Sequence, residues 1–212
     1  MLELKGVHYQ PATAEKAVLA GVNLKVQQGL PVMIAGPSGI GKTSLVEVIS
    51  GLSKPQQGEI YWKNKPLNER QRRWLCGIVF QFPERHFLGL TIAQELRLGH
   101  RRLSGEDQEK ALEIVGLSHV SLRQAPEKLS GGQQRRLALA VQLLRKPSIL
   151  LLDEPTAGLD WSVRKEILEL LARIAKDQLL IVVTHEPELF RDWSISSYQL
   201  HGCKLEPMNT LQ

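Results

Sequence analysis

"GPSGIGKTS", Gly36 to Ser44, decides how the rest of the chain is read. Its first eight residues fit G-x-x-x-x-G-K-[ST] from Gly36 to Thr43. A short apolar run, "PVMIAG", precedes the loop, and a helical pattern from Lys42 to Ser50 follows it. Glycine lets the backbone curl until successive N–H groups point inward at an anion. The helix behind turns its positive end towards the same anion. The pattern predicts a phosphate cradle built from Gly36, Pro37, Ser38, Gly39, Ile40, Gly41, Lys42, Thr43 and Ser44. Within it Lys42 is expected to reach the β- and γ-phosphates of a nucleotide, and the Thr43 hydroxyl to coordinate Mg²⁺.

A nucleotide cradle needs acids, and "ILLLDEP" supplies them at Asp153 and Glu154. A buried strand that ends there puts both carboxylates at its C-terminal edge, where open α/β sheets bind ligands. Asp153 is assigned to Mg²⁺. Glu154 is assigned to orienting or deprotonating the attacking water, since phosphoryl transfer asks mainly for positioning and charge control. Alone, Asp-Glu after a strand is more often a solvated edge or a helix cap. The upstream phosphate loop changes that reading. Gln81 follows "GIVF" and His185 follows "LLIVVT", so each ends a neighbouring buried run. Gln81 is expected near Mg²⁺ or the water, and His185 near a γ-phosphate oxygen.

A second glycine-rich helix start stands at "LSGGQQRRL", Leu129 to Leu137. Ser130 can cap a helix, and Gly131 and Gly132 let its first N–H groups come close to an anion. Composition does not say whose phosphate this second site meets.

Around these motifs the chain reads as α/β. Leu2, Leu4, Val7 and Tyr9, then Val18, Val22, Leu24 and Val26, alternate like half-buried antiparallel strands, and Gly58 to Trp62 adds another. "PVMIAG", "GIVFQF", "SILLLDEP" and "LLIVVTH" are continuous apolar runs, the mark of parallel strands covered on both faces. Thr91 to Leu98, Glu106 to Val115, Gly132 to Arg145 and Ser162 to Lys176 have helical patterns. The predicted fold class is a P-loop NTPase core, a mostly parallel sheet flanked by helices, with an N-terminal antiparallel β region and an inserted α-helical lobe. The expected organisation is one domain, 1–212, with 1–82 and 147–212 forming the core and 83–146 the helical lobe.

Bulk properties fit this reading without sharpening it. The 212 residues suffice for one compact domain, and 42% hydrophobic with 23% charged is ordinary for a globular chain. The net charge of +5 fits nucleic acid, an anionic membrane surface or phosphate ligands, and does not choose among them. The arginine clusters (Arg70, Arg72 and Arg73; Arg101 and Arg102; Arg135 and Arg136) are each expected on solvated helix faces. Two distant cysteines, Cys76 and Cys203, imply neither a metal site nor a disulfide framework. "MLELKG" lacks the pattern of a signal peptide. The longest apolar runs fall well short of the ~20 residues that span a bilayer, so work at a membrane requires a partner that crosses it.

These motifs, in this order, resemble the nucleotide-binding subunit of an ABC transporter over nearly the whole chain. "GPSGIGKTS" is similar to its Walker A motif, Gln81 to its Q-loop, "LSGGQQRR" to its signature and "ILLLDEP" to its Walker B. "AGLD", ending at Asp160, resembles the D-loop, His185 the switch histidine, and Tyr9 the aromatic that stacks on adenine. The resemblance implies a head-to-tail dimer with a second ATPase subunit, identical or paralogous. Ser130, Gly131, Gly132, Gln133 and Asp160 of one subunit would then close on the ATP held by the other.

The segment Phe80 to Gly99 resembles the part of energy-coupling factor ATPases, importers of vitamins and metal ions, that receives integral membrane subunits. Phe82, Pro83, Glu84, Arg85 and His86 replace the Asn-Pro-acidic stretch common there. The chain ends soon after its last core strand, where many such ATPases carry a further C-terminal domain. The resemblance implies a peripheral protein on the cytoplasmic face of a membrane. The competing class is a soluble ABC ATPase acting on nucleic acid or in assembly. Its coiled-coil, zinc-module and tandem-ATPase features are absent here, so no nucleic-acid partner is expected.

Overall fold

The computed structural model describes residues 1–193 and 195–208. The chain runs β1 (Leu2–Tyr9), β2 (Leu19–Val26), β3 (Val32–Ala35), α1 (Lys42–Ser50), β4 (Gln57–Trp62), β5 (Lys65–Pro66), α2 (Glu69–Leu75), β6 (Cys76–Val79), α3 (Ile92–Arg97), α4 (Gly105–Ile114), α5 (Gly131–Leu144), β7 (Ile149–Asp153), α6 (Trp161–Ile174), β8 (Leu179–Thr184), β9 (Ser196–His201) and β10 (Lys204–Pro207). The alternating strands at the start pair antiparallel, Leu4 opposite Leu24 on one side and Ile60 on the other, in a four-stranded sheet ordered β2-β1-β4-β5. The continuous apolar runs form the centre of a second sheet, ordered β10-β9-β3-β8-β7-β6, parallel from β9 to β6.

Two-sided burial explains why those runs do not alternate. Met33, Leu150, Leu152, Leu180 and Val182 point into the core shared with the helices of the 83–146 segment and α6. Their neighbours Ile34, Ile149, Leu151, Ile181 and Val183 point into a second core, shared with α1 and the antiparallel sheet. Burying each such side chain contributes about 1.5–3 kcal/mol, so both faces hold these strands in place. Between β6 and β7 the backbone forms helices and turns only. Ser130 caps α5 through a capping box with Gln133, Ser104 caps α4 through one with Asp107, and the Thr91 side chain caps α3.

Several elements carry weaker sequence signals. The helix α2 is only seven residues, and β9 (SSYQLH) alternates too little to read as a strand. Yet β9 pairs parallel to β3 and covers its outer side, with Leu200 fully buried. The arginine clusters need a correction. Arg72 and Arg135 are among the buried residues, at 3% and 2% exposure, rather than on solvated faces. Each guanidinium is held by main-chain carbonyls: Arg72 donates to Ser53, and Arg135 to Glu154 and Ala157.

Candidate functional site

The parallel register brings the motif residues to one edge. Ala35 pairs with Thr184, Asp153 with Val183 and Val79 with Leu152, so the four strands end in one row. Gly36 to Thr43 leaves β3, Asp153 and Glu154 end β7, His185 follows β8 and Gln81 follows β6. Between them lies a cleft of about 320 Å³, lined by Ser38, Gly39, Gly41, Lys42, Thr43, Ser44, Gln81, Asp153, Glu154 and His185. Pro11 and Val18, from the β1–β2 connection, complete the wall. Gly41 caps α1 at φ 112°, a conformation glycine tolerates and L-residues do not. A Cβ there would also stand 3.2 Å from Val18.

The side chains in the cleft hold one another. Lys42 Nζ donates to the carbonyls of Gly36 (2.7 Å) and Pro37 (3.1 Å) and pairs with Glu154 Oε1 at 3.2 Å. Both side chains of that pair are deeply buried. Glu154 Oε2 accepts from the Thr184 hydroxyl and the His185 N–H, each at 3.2 Å, and lies 2.8 Å from His185 Nδ1. The Glu154 backbone is left-handed, φ 48°, a conformation that costs a non-glycine residue about 1–2 kcal/mol. Its N–H donates to Val183 O, and its carbonyl accepts from Arg135.

Thr43 Oγ1 donates to Asp153 Oδ2 at 2.6 Å. Two hard oxygen donors side by side suit Mg²⁺, which takes one or two carboxylates and leaves the rest of its shell to water and phosphate. Among the described residues no group of three or more His, Cys, Asp or Glu forms an all-protein cage, as such a site requires none. Burial pushes the Asp153 carboxyl above its ordinary value; the Thr43 hydroxyl opposes this and the neighbouring Glu154 adds to it. A carboxyl that holds its proton more tightly when folded makes stability fall as pH rises from the ordinary aspartate range through the raised value. Above that window the penalty is complete. Asp153→Asn removes it, so the ligand-free variant is expected to melt higher than the parent at pH 7, with the gap closing below the ordinary aspartate range. Thermal melts across pH read this directly; a variant that melts lower at pH 7 contradicts the stated role of burial.

Not every expected site residue is in the cleft. Gly36, Pro37 and Ile40 shape the loop: the Gly36 N–H donates to Thr184 O, and Ile40 packs into the core beneath. Tyr9 does not line the cleft; its hydroxyl donates to Ser53 Oγ at 3.0 Å. Ser130, Gly131, Gly132, Gln133 and Asp160 are also absent from the lining. Away from that lining, the open side of Gly131 meets Leu159, next to Asp160 in the chain, at 3.8 Å.

A family model described as "ABC transporter" matches residues 19–157. The chain belongs to the ABC transporter family. It is an ABC ATPase, which binds and hydrolyses ATP. It is 37% identical over 201 residues to the chloroplastic ABC transporter I family member 11 of Arabidopsis thaliana, covering 87% of this chain and 72% of that one. It is 39% identical over 196 residues to the energy-coupling factor transporter ATP-binding protein EcfA2 of Acetivibrio thermocellus, covering 87% and 68%. Among solved structures, cbiO1 of Clostridium perfringens, described as part of the ABC transporter complex cbiONQ, superposes with a TM-score of 0.84 at 28% identity, covering 96% of this chain and 86% of that one. The ATP-binding cassette MJ0796, a post-hydrolysis dimer bound to ADP and Pi, superposes at 0.82 with 30% identity, covering 100% and 99%.

The two signature glycines of this ABC ATPase have different surroundings, which reading them as a pair missed. A Cβ on Gly132 would stand 2.3 Å from Val163 Cγ1 of α6, in the chain's own interior. On Gly131 it would meet nothing closer than Leu159 at 3.8 Å. Gly132→Ala is therefore expected to lose about 1–3 kcal/mol by overpacking, and Gly131→Ala to lose nothing by packing, with helix propensity slightly favouring the alanine. Chemical denaturation checks the pair; equal losses contradict the packing described.

Proposed function

We propose that the chain is the ATPase subunit of an importer of a vitamin or metal ion, bound peripherally to integral membrane subunits at the cytoplasmic face. One observation carries the reading: the cleft is lined by residues of the Ser38 to Ser44 loop, by Asp153, Glu154, Gln81 and His185, while Ser130 to Gln133 and Asp160 take no part in its lining. Half of the expected phosphate contacts therefore belong to a second ATPase subunit, identical or paralogous, arranged head to tail.

In this reading Lys42 exchanges Glu154 for the β- and γ-phosphates of ATP, and the N–H groups of the loop and of the α1 start surround them. Thr43 and Asp153, with Gln81 in the same cleft, would hold Mg²⁺, which would supply charge neutralisation at the phosphates. Glu154, freed from Lys42, orients the attacking water and takes its proton, and His185 holds a γ-phosphate oxygen. Ser130, Gly131, Gly132 and Gln133 of the second subunit close over the same phosphate, with Asp160 at the seam. Tyr9 is assigned to stacking on the adenine, its hydroxyl held by Ser53 at 3.0 Å, with Pro11 and Val18 at the cleft beside it.

The membrane side is supported by the relatives' names and by a groove of about 310 Å³ beside Gln81. Phe80, Pro83, Phe87 and Val141 line it, and Leu88 and Leu90 stand at 79% and 80% exposure in the same segment. Among the described residues no helix is long and apolar enough to cross a membrane, so the crossing falls to the partner. The test uses tagged chain and detergent-solubilised membranes of the native cell. The parent is expected to recover integral membrane proteins, and Leu88→Glu with Leu90→Glu to lose them while keeping ATP binding. Recovery unaffected by the double substitution, or ATPase activity stimulated by DNA or RNA in a salt-sensitive way, contradicts the proposal.

A further inference from the structure

Arg135 lies in the signature helix α5, yet its guanidinium is spent inside the molecule. It is 2% exposed. One terminal nitrogen donates to Glu154 O at 3.1 Å and the other to Ala157 O at 3.1 Å. Its Nε has no partner, and no carboxylate lies within ion-pair distance among the described residues. A buried cation held only by two carbonyls is a costly arrangement, which burial registers by pulling its pKa down, with Glu84 opposing. The segment it grips starts at the left-handed Glu154 and runs to the D-loop, whose Gly158 has its open side 3.4 Å from the Phe82 ring. Arg135 thus ties the helix that begins at Gly131 to the main chain carrying the carboxylate of the other motif.

We propose that Arg135 is a positioning residue that links the two ATP sites of the dimer. It sets the main chain of Glu154 from α5, so that seating the α5 start on the partner's ATP fixes the carboxylate that acts on this chain's own ATP. The proposal rests on the head-to-tail reading above. Only a planar fork can serve both carbonyls at once; a lysine keeps the charge and loses the second contact. Arg135 is buried and does not line the cleft, so its removal is expected to act on turnover and not on nucleotide affinity.

The test compares steady-state ATPase of the full chain with Arg135→Lys and Arg135→Gln. Both variants are expected to lose at least 10-fold in kcat with KM for ATP within about 2-fold, and Arg135→Lys in a Glu154→Gln background still to dimerise with ATP. An unchanged kcat, or a raised KM at constant kcat, overturns the proposal. A second measurement needs no change at Arg135 and decides the matter if neither variant folds. Amide exchange is followed in ATP-saturated Glu154→Gln protein below and above its dimerisation midpoint, where occupancy is equal and only association differs. Protection of Glu154 to Ala157 together with the α5 start is expected; protection of the α5 start alone overturns the link. Failure of Glu154→Gln to dimerise at all would instead remove the head-to-tail reading, whatever Arg135 does.

Discussion

Glu154→Gln is expected to bind ATP, to cut turnover by about a thousandfold, and to accumulate as an ATP-bound dimer. A positioned general base is worth roughly 10² to 10⁴ in rate, and the amide cannot take a proton. The geometry says why the variant should otherwise stay intact. Glu154 Oε2 accepts from Thr184 and from the His185 N–H, and a glutamine carbonyl can accept both. The other oxygen faces Lys42 in this arrangement, and an amide N–H₂ there is unfavourable until phosphate draws the lysine away. So the variant should be modestly less stable without nucleotide and gain more from ATP than the parent does. Size exclusion with saturating ATP and Mg²⁺ should show a species of about twice 23.8 kDa. A variant that hydrolyses ATP at more than a tenth of the parent rate would remove Glu154 from the role assigned to it.

Lys42→Ala is the second large effect, and it has two parts that a single assay would merge. Hydrogen bonds between charged groups are worth about 1.5–3 kcal/mol each, so losing those to two phosphates should weaken ATP binding by roughly two orders of magnitude or more. Independently, the variant strands a carboxylate buried at Glu154, and removing one partner of a buried pair costs roughly 3–5 kcal/mol. Neutralising the stranded group should recover stability without recovering affinity. Lys42→Ala with Glu154→Gln is therefore expected to melt above Lys42→Ala alone and still to bind ATP poorly by calorimetry. A double variant no more stable than Lys42→Ala would mean that the pair is incidental to the ligand-free cleft.

The sequence made the cleft legible because its chemistry is local. The phosphate loop needs its glycines within eight consecutive residues, and the strand before it advertises two-sided burial by being apolar throughout, as Val32 to Ala35 shows. Asp153, Gln81 and His185 could be placed together because each ends such a run. What stayed hidden is what depends on neighbours far away in the chain. Arg135 reads as surface charge beside Arg136, yet it stands three residues after Gly132 and four before Leu139, on the buried stripe of α5. That spacing was the available signal, and the composition of the cluster masked it. Gly131 and Gly132 look equivalent until Val163 closes on one of them. The hairpin β9–β10 had no pattern to find, because β9 owes its place to pairing with β3 rather than to its own side chains.

In the proposed dimer a complete reaction centre takes two chains, one offering the phosphate loop and Glu154, the other offering Ser130 to Gln133. Its most direct measurement is ATPase activity per chain against chain concentration, at saturating ATP and Mg²⁺, with mass followed by sedimentation in the same samples. Specific activity is predicted to rise with concentration and to track the dimer fraction, vanishing where only single chains sediment. Full specific activity in samples that sediment wholly as single chains would contradict the account.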